Sequence, residues 1–315
     1  MHTTFENIDE LWMSALDDLF LNGNVTTSRV GKTREILGWS ATLTHLEYTF
    51  LMNKRRALSP VYAGSELLWY LSGDDSIDII RHYAPQYENF AEDGKAYGAY
   101  GHRLKNNVRN FDQVVLAMRL LKQAHDTRQC VVTLWKPDDL LAALDGTHKD
   151  LPCTLVWQFF VREDKLHMVV TMRSQDIWLG MPYDIFVNTC MMRLVANELR
   201  LKMGTYTHNC GSLHLYEKNE AAAREAFSLG LPYSQPNLWS DKDSIFDSHN
   251  ALIVESCVRS WKETFHPYQC LHWQYLSDML KDAVRCCALK YNMSDAFHSP
   301  ALQEAATHYA NNRGK

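Results

Sequence analysis

Ile8, Leu11, Trp12, Ala15, Leu16, Leu19 and Phe20 recur at three- and four-residue spacing. That period predicts an amphipathic helix, and Asn7 with Glu10 supplies a capping-box start. The polar stretch Asn22 to Lys32 follows, with Gly23 and Gly31 as breakers. Helical patterns return from Ser65 to Leu71, stopping at Gly73, and from Phe111 to Ala124. The middle of the chain switches to β-branched and aromatic residues over Cys130 to Trp135, Leu155 to Val161 and Leu166 to Met172. Arg162 to Lys165 reads as a hairpin turn between the last two. Pro182, just after Gly180, opens a long helical run to about Leu199, since proline is well tolerated in a first helical turn. A short strand near Tyr206, a segment from Gly211 to Tyr216 and another helix to about Leu229 follow. Beyond about Leu231 helices and loops mix, and the pattern alone assigns that region no role. Strands and helices are interspersed, so the expected class is α+β or mixed α/β.

The chain has 315 residues, 46% hydrophobic and 22% charged, with a formal net charge of −5. That length admits one large domain or two. The apolar content excludes intrinsic disorder, and the near-neutral charge lacks the basic field of a general nucleic-acid binder. An anionic ligand is therefore expected to be small and held by a few placed cations. No apolar run approaches the roughly 20 residues of a membrane span. Glu6, Asp9, Glu10, Asp17 and Asp18 near the start are unlike a secretory signal, so a cytoplasmic protein is expected. The 8 cysteines show neither a CxxC pair nor zinc-finger spacing, so mostly buried thiols and no metal are expected.

Chemistry concentrates around Leu151-Pro152-Cys153 and Met172-Arg173-Ser174-Gln175-Asp176. Arg173 and Ser174 suit a phosphate, and a guanidinium beside Cys153 would favour thiolate over thiol. The plainer readings are a small buried cysteine and a surface ion pair.

These pieces belong to an ordered set. Ser65 to Asp74 contains Glu66-Leu67-Leu68-Trp69, and Ala99-Tyr100-Gly101, Asp126-Thr127-Arg128, Leu179-Gly180-Met181-Pro182-Tyr183-Asp184 and Gly211-Ser212-Leu213-His214-Leu215-Tyr216 follow. In this order the sequence resembles the thymidylate synthase superfamily, with a family core from about residue 29 to 230. The resemblance implies a single thymidylate synthase-like domain over 1–315, a mixed sheet flanked by helices, and a homodimer formed across one sheet face. It implies a pyrimidine nucleotide substrate with 5,10-methylenetetrahydrofolate as co-substrate, and requires no nucleic acid or membrane. By the same resemblance Cys153 is the nucleophile that adds to C6 of the pyrimidine, which makes C5 nucleophilic. Tyr100 belongs with it, and Glu66 would manage proton transfer. Arg29, Arg128, Arg173 and Ser174 would hold the 5′-phosphate, with Arg128 reaching in from the second subunit. His214 and Tyr216 would bind the sugar hydroxyl. Asp176, Glu66, Tyr87, Leu179 and Gly180 would line the folate site.

Departures from the thymidylate synthases point to the base. Asp184 stands where they carry asparagine. An asparagine amide donates to O4 and accepts from N3–H of uracil, whereas a carboxylate only accepts. Asp184 therefore favours the exocyclic amine of cytosine; the alternative is a helix-capping aspartate. Cys153-Thr154, Met172-Arg173-Ser174 and Gly211-Ser212-Leu213-His214 resemble deoxycytidylate hydroxymethylases, in which water attacks the exocyclic methylene. Gln129 replaces the second arginine of the cross-subunit pair, leaving Lys32, Lys54 or Arg55 to compensate. Tyr87 and Phe90 replace the tryptophan that shields the intermediate, which would admit water. A C5-methyltransferase on the same nucleotide, a thymidylate synthase tolerating Asp184, and a silent nucleotide-binding protein are the other readings.

Overall fold

The computed structural model describes residues 3–28, 31–105, 112–237, 239, 244–261, 266–293 and 296–312. Its strands are β1 (Thr3–Phe5), β2 (Asn24–Ser28), β3 (Gly31–Leu43), β4 (Val131–Thr133), β5 (Thr154–Arg162), β6 (Lys165–Met172), β7 (Gln175–Asp176) and β8 (Lys202–Tyr216). They form one sheet in the order β1-β3-β8-β6-β5-β4, with β2 beside β3 and β7 beside β8. The pairs β1–β3, β6–β8 and β7–β8 are parallel, and the others antiparallel. Helices cover the sheet, so the expected α+β class holds.

Where the pattern was strong, the elements match it. The first helix, α1 (Ile8–Asn22), is capped by Asn7, whose side chain accepts from the Glu10 N–H at 2.9 Å. The Glu10 carboxylate reaches back one residue further than a standard box, to the Glu6 N–H at 3.1 Å. Glu163 and Asp164 both have positive φ, 51° and 54°, as a two-residue turn between β5 and β6 requires. Two expectations are corrected. The Asn22 to Lys32 stretch is no simple break, because Asn24–Ser28 pairs with β3 as a hairpin arm. Its residues are largely exposed, and an exposed strand needs no apolar face. The two segments around Tyr206 and Gly211 are one continuous strand, β8. Gly211 does not end it; a Cβ there would lie 2.9 Å from the Arg173 carbonyl oxygen, so the glycine permits close backbone approach.

The remaining helices are α2 (Pro60–Ser72), α3 (Asp78–Tyr83), α4 (Tyr100–Lys105), α5 (Gln113–Gln123), α6 (Pro137–Asp145), α7 (Met181–Leu199), α8 (Glu217–Ser228), α9 (Ser248–Trp261), α10 (Asp278–Ala288) and α11 (Pro300–Asn312). α7 is buried over most of its length, packed against β6 and β8 on one side and α2 and α5 on others. An all-round apolar helix belongs in such a place. From the region after Leu231, α10 packs along α2 and so supports the helix that carries Glu66. The sheet face away from α7 is half-exposed, with Gln158, Phe160, His167, Thr171, Thr207 and Asn209 upon it. No helix among the described residues is long and apolar enough to cross a membrane.

One buried ion pair secures α4, whose first residue is Tyr100. The Arg103 guanidinium is bidentate to Asp139, at 2.7 and 2.9 Å, and donates to the carbonyls of Leu134 and Tyr97. Asp139 also accepts from the Lys136 N–H at 2.7 Å. Both partners are almost fully buried, so removing one strands the other's charge. Asp139→Ala is expected to lower stability by about 3–5 kcal/mol in urea denaturation. A loss below about 1 kcal/mol would contradict this role, being the size expected of an exposed pair.

Candidate active site

The loop before β5 presents Cys153 with its backbone tied on both sides. The N–H groups of Cys153 and Thr154 donate to the Tyr100 hydroxyl at 2.9 and 3.2 Å. The Arg173 N–H donates to the Cys153 carbonyl at 2.8 Å. The Arg173 guanidinium donates to the carbonyls of Pro152 and Leu151 at 2.9 and 3.0 Å and lies over the Trp135 ring. Arg173 thus shapes the cysteine loop while remaining exposed to an incoming anion.

Asp184 lies near enough to this cysteine for its charge to act on the thiol, and Glu66 neighbours Asp184. Glu66, on the middle of α2, accepts from the Tyr62 hydroxyl through Oε1 at 2.9 Å, while its buried Oε2 has no partner. Asp184, in the first turn of α7, accepts from the Gln175 amide through Oδ2 at 2.8 Å. The helix-cap alternative fails, because Gly180 is the N-cap of α7 and no side chain caps it. Asp176 caps the following turn, its Oδ1 accepting from the N–H groups of Trp178 and Leu179 at 2.8 and 3.0 Å; its Oδ2 is buried without a partner. Buried carboxyl oxygens without a partner, as at Glu66 and Asp176, call for an explanation in a folded protein, and contact with a bound ligand supplies one.

Burial dominates the titration of these groups. It pushes Glu66 up to about 8, reinforced by the Asp184 charge. It pushes Asp184 up to about 6, against the Gln175 hydrogen bond that favours the ion. Near neutral pH, then, Glu66 holds a proton and Asp184 is a carboxylate, a division of the acid and base roles. Burial also pushes the Cys153 thiol up to about 11. Arg173 favours the anion, as its position beside Cys153 leads one to expect, and desolvation opposes it.

The other expected residues fall into place unevenly. Ser174 Oγ lies 3.4 Å from His214 Nδ1, and the Tyr216 ring packs edge-on to His214 at 5.1 Å. Tyr87 packs edge-on to Trp69, close enough for the charges of Glu66 and Asp184 to raise its hydroxyl pKa, after burial. Phe90, 51% exposed, lies against Tyr87. Leu179 is 49% exposed beside Gly180. Arg128 is exposed before β4 and its carbonyl accepts from Gln158; among the described residues no contact joins it to Cys153, Glu66 or Asp184. Arg29 lies outside the described residues.

Of the suggested substitute cations, Arg55 is paired with Glu225 at 2.6 Å, and Lys32 and Lys54 are exposed. The residue missed was Arg56. It donates to the Trp178 carbonyl and, at 3.3 Å, to that of Leu179, lies over the Trp178 and Tyr183 rings, and lowers the Asp176 pKa against burial. Tyr62 was also missed, although its spacing of four from Glu66 on one helix was a usable signal. Among the described residues no group of His, Cys, Asp and Glu is placed to hold a metal.

Thiol alkylation reads the Cys153 state directly. In the free protein its rate is expected to climb about tenfold per pH unit from pH 7 to 10, because only the thiolate reacts. Peptide mass spectrometry after timed iodoacetamide pulses resolves it from the other seven thiols. A rate already level at pH 7 would show a pre-formed thiolate.

The family model for thymidylate synthase matches residues 10–255. That span reaches beyond the motif-bearing core at both ends, taking in most of α1 and half of α9. The family carries out folate-dependent one-carbon transfer to C5 of a pyrimidine nucleotide, typically as dimers, with methylenetetrahydrofolate as co-substrate. A match of this extent shows that the chain belongs to the thymidylate synthase family.

Proposed function

We propose that this protein hydroxymethylates C5 of a cytidine monophosphate, converting dCMP to 5-hydroxymethyl-dCMP. The observation that carries the base assignment is Asp184: an acid ionised near neutral pH, with one oxygen taken by Gln175 and the other left as an acceptor. A carboxylate accepts from the N4 amine of cytosine and repels the O4 lone pairs of uracil.

Cys153 Sγ forms the bond to C6. As it does, the C5=C6 electrons move to C4–C5 and the C4=N3 pair moves to N3, which gains a proton, while the thiol proton passes to solvent. Glu66, protonated at neutral pH, supplies the N3 proton through water, and Asp184 accepts the resulting N3–H together with the amine; the raised Glu66 pKa supports this role. Tyr100 and Arg173 hold the cysteine loop in place for the addition. Arg173, Ser174 and Arg29 bind the phosphate, and His214 and Tyr216 the sugar. The folate would supply the one-carbon unit, with Asp176, whose Oδ2 has no partner among the described residues, binding its pterin and Tyr87, Leu179 and Gly180 lining its site. Tyr87 brings a hydroxyl close to Glu66, where a bulkier apolar ring would exclude water; that favours water over hydride as the final reactant.

Arg128 completes the phosphate site from a second subunit that packs on the half-exposed sheet face. A monomer at working concentration in sedimentation equilibrium would remove its route to the site. A C5-methyltransferase is the second reading, since Asp184 selects the same base for either product.

The mass of the product formed from dCMP and methylenetetrahydrofolate decides the reaction. A hydroxymethyl product with no dihydrofolate released supports the proposal; a methyl product with dihydrofolate in step with turnover contradicts it. Cys153→Ala is expected to abolish turnover and leave nucleotide binding intact, by equilibrium dialysis. Asp184→Asn is expected to shift preference from dCMP toward dUMP by about 1–3 kcal/mol, the worth of a matched base-edge contact. In the wild type the relative kcat/KM for dUMP should rise as pH falls through about 6, because the protonated acid becomes a donor to O4. A base preference independent of both changes would overturn the specificity argument.

A further inference from the structure

Behind Asp184 and its partner Gln175 runs a chain of buried polar side chains that the chemistry above does not use beyond Gln175. It begins on α7 with Asn188, one turn beyond Asp184 on the same helix face. Asn188 Nδ2 donates to the Tyr206 hydroxyl at 3.2 Å. Tyr206, on β8, is 2.8 Å from Nδ1 of His208, two residues along the same strand face. His208 Nε2 is 3.0 Å from Gln175 Oε1 on β7. Gln175 Nε2 returns to α7 at Asp184 Oδ2, 2.8 Å away. Tyr206 and His208 are fully inaccessible, and Gln175 and Asn188 are 2% exposed.

Only one proton arrangement satisfies every link. An ionised Asp184 accepts only, so Gln175 must turn its NH2 toward it and its carbonyl toward His208. His208 must then carry its proton on Nε2. Burial pushes its pKa down to about 3, so the ring is neutral and Nδ1 is an acceptor. Tyr206 therefore donates to Nδ1 and accepts from Asn188. Every donor points toward the carboxylate. Gly180 keeps the last link open, since a Cβ there would lie 3.0 Å from Gln175 Nε2 and 3.1 Å from Asp184 Oδ2.

We infer that Gln175 and His208 are positioning residues that set base specificity through Asp184, by delivering a fixed donor to Oδ2 and leaving Oδ1 to face the base. The inference rests on Asp184 reading the base edge, whichever base that is. The relay explains why one side chain suffices as a selector. With aspartate at 184 the free oxygen is an acceptor. With asparagine the same Gln175 donor would claim Oδ1 and turn Nδ2 toward the base as a donor. If Gln175 lost its hold on His208, its amide could flip, and residue 184 would lose its enforced polarity. Because a buried group left unpaired is costly, the whole chain is coupled.

The test measures the ratio of dCMP to dUMP dissociation constants by equilibrium dialysis, in the full-length protein without folate. His208→Leu removes the donor to Gln175, and Gln175→Met removes the donor to Asp184 at similar volume. Each is expected to change the ratio about tenfold, the scale of one lost buried hydrogen bond to a charged group. His208→Gln places an amide N–H where Nε2 was and is expected to restore the wild-type ratio, which a purely structural role would not do. If His208→Leu does not fold by circular dichroism, Gln175→Met alone decides. An unchanged ratio in the folded leucine or methionine variant, or a glutamine variant no better than leucine, overturns the inference. A wild-type preference for dUMP would contradict the cytosine assignment and leave this inference standing, because the ratio would still move.

Discussion

The cost of taking charge out of water governs this site. A carboxylate or thiolate in an apolar surrounding loses solvation that a protein repays only with placed donors or cations. Here the donors are few. Glu66 has a tyrosine hydroxyl and one bare oxygen, so it keeps its proton to about 8. Asp184 has the Gln175 amide and ionises at about 6. Cys153 is desolvated by burial, with the exposed Arg173 guanidinium opposed by the charges of Asp184, Asp150 and Asp176, and stays a thiol to about 11. One buried cluster thus holds an acid, an acceptor and a latent nucleophile. Each is distinguished by its neighbours rather than by its residue type.

The scaffold places these groups by a few connections. α7 is held between the sheet and two helices, and its first turn carries Asp184. α2 is backed by α10 and carries Glu66. α4 is anchored by the Arg103–Asp139 pair and begins with Tyr100, whose hydroxyl receives two N–H groups of the cysteine loop. Arg173 binds that loop from the other side. The nucleophile can remain uncharged until substrate arrives because its position does not depend on its charge.

What the sequence revealed and concealed follows from the range of the forces involved. Cys153, Asp176 and Asp184 were legible because their local motifs are short and ordered along the chain. The turn at Glu163-Asp164 and the cap at Asn7 were legible for the same reason. β2 was hidden because an exposed strand shows no apolar alternation, and the unity of β8 because Gly211 looks like a stop until the Arg173 backbone is seen beside it. The pull of Arg173 on Cys153 was legible from two short motifs, but the burial that opposes it was not, because depth is a property of the whole fold. His208 and Gln175 are separated by 33 positions and meet only through the β6–β8–β7 pairing. Arg56 reaches Trp178 across 122 positions, and no local pattern marks it.

The most direct measurement is the crystal structure of the Cys153→Ser variant with dCMP bound. The account predicts the N4 amine within about 3 Å of Asp184 Oδ1, with Gln175 still bonded to Oδ2. A bound nucleotide whose amine faces another group, with the Asp184 carboxylate turned from the base edge, would contradict it.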